Sequence, residues 1–472
     1  MMTLIKNGKI YDGTGKDAFK GDILFENDRI LKVCEAIDAQ AEGLGEADHI
    51  IDIDGLSISS GFIDMHSHND WFVLKNDPLP YFEPFIRQGI AGFENRKLTE
   101  EEMAHMIELM EDSFKKGAAG ASLGLMYEPG VYADVEEMRR VAELCVKYNK
   151  PLTVHPRAES KVSMAYPQLF GRSHLLRAFD ELVEISRGTN LKLQYSHAIF
   201  VGRQSFRDKP ELLKMINEMR EAGVRVQFDI YNELKGVSVI TVVLPDWYRG
   251  MSEEERNKPF TKLKLSVLIK ATSALLGFGF DDIEIAYIGP GYENYEGKTV
   301  HQLALEYKMS DLDMYLKLCK ESDFNGRVNM GPYTTEEIIH DFEHNELCLY
   351  MTDAWVEEHG VQNPVLKNCF PKFLRDSLNG IGDTMPNTIR RMTGASADRF
   401  SLENRGYIKE GYFADFTVFS EDAIKEAPKD TRETFGIEKV FINGKLILDG
   451  ENLDKELSLH SGKAMRVFDV TD

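Results

Sequence analysis

The chain has 472 residues, of which 43% are hydrophobic and 28% charged, with a formal net charge of −22. This length accommodates one large domain and a smaller one, and the composition is ordinary for a soluble globular protein. The acidic excess argues against nucleic acid or an anionic membrane as a partner; it does not identify a substrate and leaves homo-oligomer formation open. No stretch reaches the apolar length of a membrane span, and Met1-Met-Thr-Leu-Ile-Lys-Asn-Gly lacks a secretory apolar core. Five scattered cysteines (Cys34, Cys145, Cys319, Cys348, Cys369) without a C-x-x-C fit a reduced, cytoplasmic protein better than a disulfide framework.

Residues 3–56 read as short strands and turns. Leu4 to Tyr11 carries Asn7-Gly8 between two apolar runs, which predicts a hairpin. Asp22 to Val33 predicts a second, turning at Asn27-Asp28. Next comes Ser57-Ile-Ser-Ser-Gly-Phe-Ile-Asp-Met-His-Ser-His68, a predicted buried strand over Phe62 to Met65 that ends in two histidines. Residues i and i+2 of a strand point to the same side, so His66 and His68 can face one point past the strand end. Neutral imidazoles so placed suit a metal ion.

From about residue 57 to 400, apolar strands alternate with amphipathic helices, which predicts a parallel sheet. The expected strands are Ala119–Leu125, Pro151–Val154, Leu191–Tyr195, Val224–Ile230, Ile283–Ile288 and Leu347–Met351. Helices are expected at Thr99–Lys116, Asp134–Lys147, Pro210–Ala222 and Thr334–His344, with Thr99 and Thr334-Thr335 as N-terminal caps before acidic first turns. Near the end, Gly411–Phe419 reads as a strand and Val440–Leu448 as an Asn443-Gly444 hairpin that resembles the opening one. Residues 1–56 and 400–472 are therefore expected to build one small β-sandwich domain, and residues 57–399 a (β/α) barrel.

In such barrels the chemistry sits at the C-terminal ends of the strands. The polar residues there are His66 and His68, then His155 and Arg157, then His197, then Tyr231 and Asn232, and finally Asp353. Four histidines and an aspartate, each just past an apolar run, are better explained by a shared site than by packing.

Gly-Phe-Ile-Asp-Met-His-Ser-His68 resembles the first-strand signature of the amidohydrolase superfamily, metal-dependent hydrolases on (β/α)8 barrels. Further stretches resemble its N-acyl-D-amino-acid deacylase (D-aminoacylase) branch: Gly117 to Ala133, Thr153-Val-His-Pro-Arg157, Tyr195 to Gly202, Met351-Thr-Asp-Ala354 and Arg391 to Phe400. The resemblance implies a (β/α)8 TIM-like barrel with a small β-sandwich, and cleavage of a linear C–N amide bond by metal-activated water. Asp353 would be the general acid/base. His66 and His68 would be a metal pair, His197 a ligand of the tighter position, and His155 a further ligand or oxyanion donor. Arg157, Tyr231 and Val365 would border the substrate. One or two divalent ions are implied, zinc by default and manganese or iron as alternatives.

The sequence also departs from that branch. The branch's Gly-Asn-Cys-Gly turn, whose Cys binds the tighter metal, has no counterpart after Gln88-Gly-Ile90; Ala91 runs straight into Gly92-Phe-Glu-Asn-Arg-Lys97, and about seven barrel strands are found. Tyr231-Asn232 lies where relatives carry a His. Val365 stands where relatives place the Arg that holds the substrate carboxylate, and an apolar side chain cannot make that bidentate contact. Arg157, Arg203 and Lys235 are the cations left in strand-end loops. Two alternatives follow. One is a cyclic-amide hydrolase of the dihydroorotase or hydantoinase type, although no lysine stands at a strand end. The other is a degenerate, non-catalytic barrel.

Overall fold

The computed structural model describes residues 1–40, 46–66, 98–126, 130–163, 165–166, 171–354, 359–463 and 465–467. Both chain ends contribute to one nine-stranded sheet. Its first five strands are β1 (Met2–Tyr11), β2 (Phe19–Glu26), β3 (Arg29–Cys34), β4 (His49–Asp52) and β5 (Ser57–Ser60). β1 lies between β2 and β5, antiparallel to the first and parallel to the second, while β4 runs parallel to β1. Alternating Ile5, Ile10, Ile23, Phe25 and Ile58 point to one face, where they pack with Phe416, Val418 and Phe441 from the C-terminal strands. Leu4 and Leu24 point to the other face with Ile37 and Ala39, as the period of two requires.

The hairpin expected at Asn7-Gly8 is instead a bulge. β1 pairs with β2 on both sides of a register shift between Ile5 and Gly8. Asn7 adopts a φ of 61°, its N–H donates to Asp22 Oδ1 at 2.9 Å and its Nδ2 to Asp52 at 3.0 Å. Those two carboxylates satisfy the backbone and amide locally, so the strand continues rather than turning. The Asn27-Asp28 turn between β2 and β3 does form, with Asn27 at φ 54°.

Five strands form a parallel sheet in the order β13-β9-β8-β7-β6: β6 (Ala121–Gly124), β7 (Pro151–His155), β8 (Lys192–Tyr195), β9 (Gln227–Ile230) and β13 (Cys348–Tyr350). Helices Val135–Lys147, His174–Ser186 and Lys209–Glu221 connect consecutive strands of this sheet. Their apolar faces (Val141, Cys145, Phe179, Leu182, Leu212, Ile216) pack with Leu152, Val154, Leu193, Tyr195 and Phe228 in one continuous core. Helix Glu100–Lys115 begins at a capping box, in which Thr99 N–H donates to Glu102 Oε2 at 2.7 Å and Glu102 N–H to Thr99 Oγ1 at 3.3 Å. Asp134 caps Val135–Lys147 through Glu137 N–H, and Thr335, the second threonine of its pair, caps Glu336–Glu343.

Hydrogen bonding does not close this sheet into a barrel among the described residues. Two expected barrel strands behave otherwise. Phe62–Met65 carries no assigned strand; Ile63 N–H donates to Met392 O on a helix. β11 (Ile283–Tyr287) runs antiparallel to β12 (Arg327–Met330), which also pairs with β10 (Gly236–Val239) in a separate three-stranded sheet. β10 and β12 are short and mix apolar with polar residues, so the partners that draw Ile283–Tyr287 away from a parallel sheet are faint in the sequence.

The C-terminal strands are β14 (Phe416–Phe419), β15 (Ile437–Ile442), β16 (Lys445–Asp449) and β17 (Asn452–Leu453). β14 pairs antiparallel with β5, joining the chain ends. β15 and β16 form the Asn443-Gly444 hairpin, with φ 49° and 76° as a primed turn needs. A Cβ on Gly444 would lie 1.6 Å from Asn27 O, so the two hairpin turns are in direct contact.

Candidate metal centre

Parallel strands deliver their C-terminal residues to one edge, and that is where the described candidates meet. His155 is the last residue of β7, His197 follows β8 by two residues, and Asp353 follows β13 by three. His66 comes from the segment after β5. Asp64 stitches that segment to the end of β13. Its Oδ1 accepts from Thr352 N at 3.0 Å and its Oδ2 from Thr352 Oγ1 at 2.6 Å, while Asp353 N–H donates to His66 O at 2.9 Å.

This brings His66 Nε2 to 3.4 Å from Asp353 Oδ1. The His66 and His197 rings are 5.2 Å apart, and those of His155 and His197 4.3 Å. His66, His197 and Asp353 each offer a donor atom within 4.8 Å of the others, and so do His155, Glu159 and His197. His155 Nδ1 lies 2.6 Å from His197 Nε2, and Glu159 Oε1 lies 2.5 Å from His197 Nδ1. His68 lies outside the described residues, as do Gln88 to Lys97, where the counterpart of the branch's cysteine turn was sought.

Two of these residues hold unusual backbone. His197 has φ 34° and Asp353 φ 51°, left-handed values that cost side-chain-bearing residues of order 1–3 kcal/mol and that cluster at functional sites. For His197 the restraint is visible. Asp229, inside β9 and 1% exposed, accepts His197 N–H on Oδ1 at 2.7 Å and Gln194 Nε2 on Oδ2 at 2.6 Å. Burial pushes the Asp229 carboxyl up to about 6. Burial opposes a charge on His197, but adjacent Glu159 outweighs it and lifts the imidazole to about 10; burial lifts Glu159 as well.

These residues suit a transition metal. The donors are imidazole and carboxylate, and they come from separate segments.

The substrate candidates are more dispersed. Arg157 is fully engaged: its Nε donates to Glu181 at 3.0 and 3.2 Å, and its other nitrogens to Val131 O and Ala133 O. Tyr231 is buried just past β9, and burial, with the Asp353 charge next, raises its phenol well above the ordinary value. Val365 opens helix Val365–Leu378 and is 3% exposed, its N–H bonded to Asn363 Oδ1. A cavity of about 490 Å³ is lined by Asn232, Lys235, Glu284, Asn329, Asn363 and Arg432 among others; none of the clustered histidines nor Asp353 lines it. The residues that could hold a metal lie in the cluster and not around the cavity.

Sequence reasoning did not single out Glu159, Asp229 or Asp64. Glu159 stands four residues past His155, and a carboxylate at that spacing from a strand-end His was the available signal. Asp229 is the carboxylate among the polar positions of the alternating run Val224-Arg-Val-Gln-Phe-Asp-Ile230, next to the strand end, a second signal of the same kind.

No family model matches the chain. It is 22% identical to a D-aminoacylase of Alcaligenes xylosoxydans xylosoxydans over 93% of each chain. A crystal structure of D-aminoacylase superposes with a TM-score of 0.74 at 20% identity, covering 98% of this chain and 99% of that one. An N-acyl-D-glutamate deacylase from Bordetella bronchiseptica, complexed with zinc and a phosphonate inhibitor, superposes with a TM-score of 0.73 at 20% identity, covering 95% and 98%. The likeness to these solved structures shows that the chain shares the fold of D-aminoacylase, described there as an amidohydrolase. The chain is similar to D-aminoacylases and N-acyl-D-amino-acid deacylases along nearly its whole length.

Proposed function

We propose that this chain is a metal-dependent hydrolase of a linear C–N amide, with zinc as the metal and an N-acylated amino acid or a related amide as substrate. The observation that carries the reading is the convergence of His66, His197 and Asp353, from three separate segments, within 4.8 Å. In this reading His66, His68 and His197 hold the metal, with His155 as a further donor. The domain division is 1–56 with 400–472, and 57–399, the latter closing as a (β/α)8 barrel. What supports it is the sheet joining both chain ends and the length over which the deacylases match.

A bound divalent ion would acidify a water molecule and polarise the amide carbonyl. Asp353 carries the proton. Its carboxylate, held by backbone bonded to His66, takes the proton from the attacking water as the C–O bond forms, then gives it to the leaving nitrogen as the C–N bond breaks. The products are a carboxylate and an amine. Tyr231, its phenol kept neutral by burial, closes one wall beyond β9. Matches to linear-amide deacylases along the chain favour this over cyclic-amide chemistry.

Val365 offers no charge, Arg157 is consumed by Glu181 and two carbonyls, and Arg203 is paired with Asp282 at 2.8 Å. Lys235 lies in the cavity, bonded to Glu284. We therefore expect poor activity on simple N-acetyl-D-amino acids and better activity on a different or larger amide. The test is a kcat/KM panel of N-acyl-D- and N-acyl-L-amino acids beside neutral and cyclic amides, run on protein of measured metal content. High efficiency on N-acetyl-D-amino acids would overturn the substrate expectation; a metal-free, inert protein would overturn the function.

A further inference from the structure

We infer that Glu159 is a positioning residue: it grips Nδ1 of His197 so that the opposite nitrogen of the ring faces the metal. This rests on the proposed metal-dependent reading. An imidazole can donate from either ring nitrogen, and which tautomer a ligating histidine adopts is set by the partner on its other nitrogen. Here Glu159 Oε1 is 2.5 Å from His197 Nδ1, while His197 Nε2 is on the side of His155. The Glu159 side chain is 5% exposed and the His197 side chain 2%, so no solvent competes for that nitrogen.

The carboxylate is itself held in place. Glu159 O accepts Val201 N–H at 2.7 Å, and Ser160 bridges to Val201, tying the segment after β7 to the segment after β8. The second carboxylate oxygen is 4.0 Å from His155 Nε2, so Glu159 faces both histidines at once. The His197 main chain is fixed independently by Asp229. Main chain from one side and Nδ1 from another leave the ring one orientation. An acceptor that close to Nδ1 would keep a hydrogen there and leave Nε2, which contacts His155 Nδ1 at 2.6 Å, to offer its lone pair to a metal.

A rival role is direct ligation, since His155, Glu159 and His197 also lie within mutual reach. Glu159→Gln and Glu159→Ala separate the two. A Gln carbonyl oxygen still accepts from Nδ1–H, whereas Ala offers nothing. If Glu159 positions His197, zinc affinity by chelator competition falls in the order Glu, Gln, Ala. Gln then stays within roughly tenfold of the parent and Ala loses about 10–100-fold. The visible bands of the cobalt-loaded Gln variant keep the parent's coordination number. If Glu159 is a ligand, Gln and Ala lose affinity alike and the cobalt bands change, which overturns the inference. Affinities of both variants within twofold of the parent also overturn it. Circular dichroism on the near-isosteric Gln variant verifies that the fold is kept. A parent that binds no metal removes the functional reading itself, whereas a metal-binding parent with an unaffected Ala variant removes only this inference.

Discussion

Asp353→Asn tests the centre of the proposed chemistry. Asp353 sits in left-handed backbone at φ 51°, held by its N–H to His66 O at 2.9 Å. Asn is among the residues most tolerant of that conformation, so the change leaves the main chain and the His66 contact in place. It keeps one oxygen that can face a metal and removes the proton acceptor. Positioned general acid–base catalysis contributes about 10²–10⁴-fold, so kcat should fall by about a hundredfold or more, about 2.7 kcal/mol or more in barrier. Metal content by elemental analysis should stay near the parent's, and the circular dichroism spectrum should be unchanged. Turnover within fivefold of the parent, on protein with intact metal content, would refute the assignment and leave Asp353 a structural role.

Replacing both His66 and His68 by Ala should remove or weaken at least one metal position, and unchanged metal content in that variant would sink their assignment as ligands. Glu343 is 1% exposed, with Oε2 buried; burial first, then neighbouring Asp376, pushes its carboxyl up to about 9. The folded chain therefore binds a proton there that the unfolded chain has lost above about 4.5. Its stabilising contribution is present at low pH and falls as pH rises from about 5 to 9, by at most about 1.4 kcal/mol per pH unit. Glu343→Gln should accordingly raise the melting temperature at pH 8 and change it little at pH 5; equal effects at both would refute the shift. Gly444→Ala should cost stability by about 1–3 kcal/mol, measured by urea unfolding, because φ is 76° and the new Cβ would meet Asn27 O.

How far the sequence carries depends on how locally each element is determined. The helices with acidic first turns were legible because a capping box is written within four residues, as at Thr99 and Glu102. Strands β6, β7, β8, β9 and β13 were legible because they are apolar-rich runs flanked by helices, although all but β7 came out shorter than their runs. Asn-Gly was legible as a feature but not as an outcome. The same dipeptide makes a turn at 443–444 and a bulge at 7–8, and the difference lies in Asp22 and Asp52, which reach Asn7 from other strands. Ile283–Tyr287 shows the same limit. Its composition gives a buried strand, but its direction depends on Arg327–Met330, some forty residues on and weakly patterned.

The site divides along a similar line. His155, His197 and Asp353 could be found because a strand end is a local address, and parallel pairing converts a common address into proximity; His66 follows no strand of that sheet and is brought in by the bonds of Asp64 and Asp353. The groups that fix their orientation have no such address. Asp64 acts on Thr352, 288 residues away, and Asp229 on the backbone of His197, 32 residues away. Each accepts from a backbone N–H and from a side chain of another segment, so their value appears only once the chain has folded. Evenly patterned strands would have no need of a charge such as Asp229 at the centre of the sheet. That charge accompanies an awkward φ at His197, and awkward backbone is tolerated where a side chain has to point in one direction. A carboxylate inside a buried strand, such as Asp229, is thus the part of this sequence that most directly marks which strand ends meet in the candidate cluster.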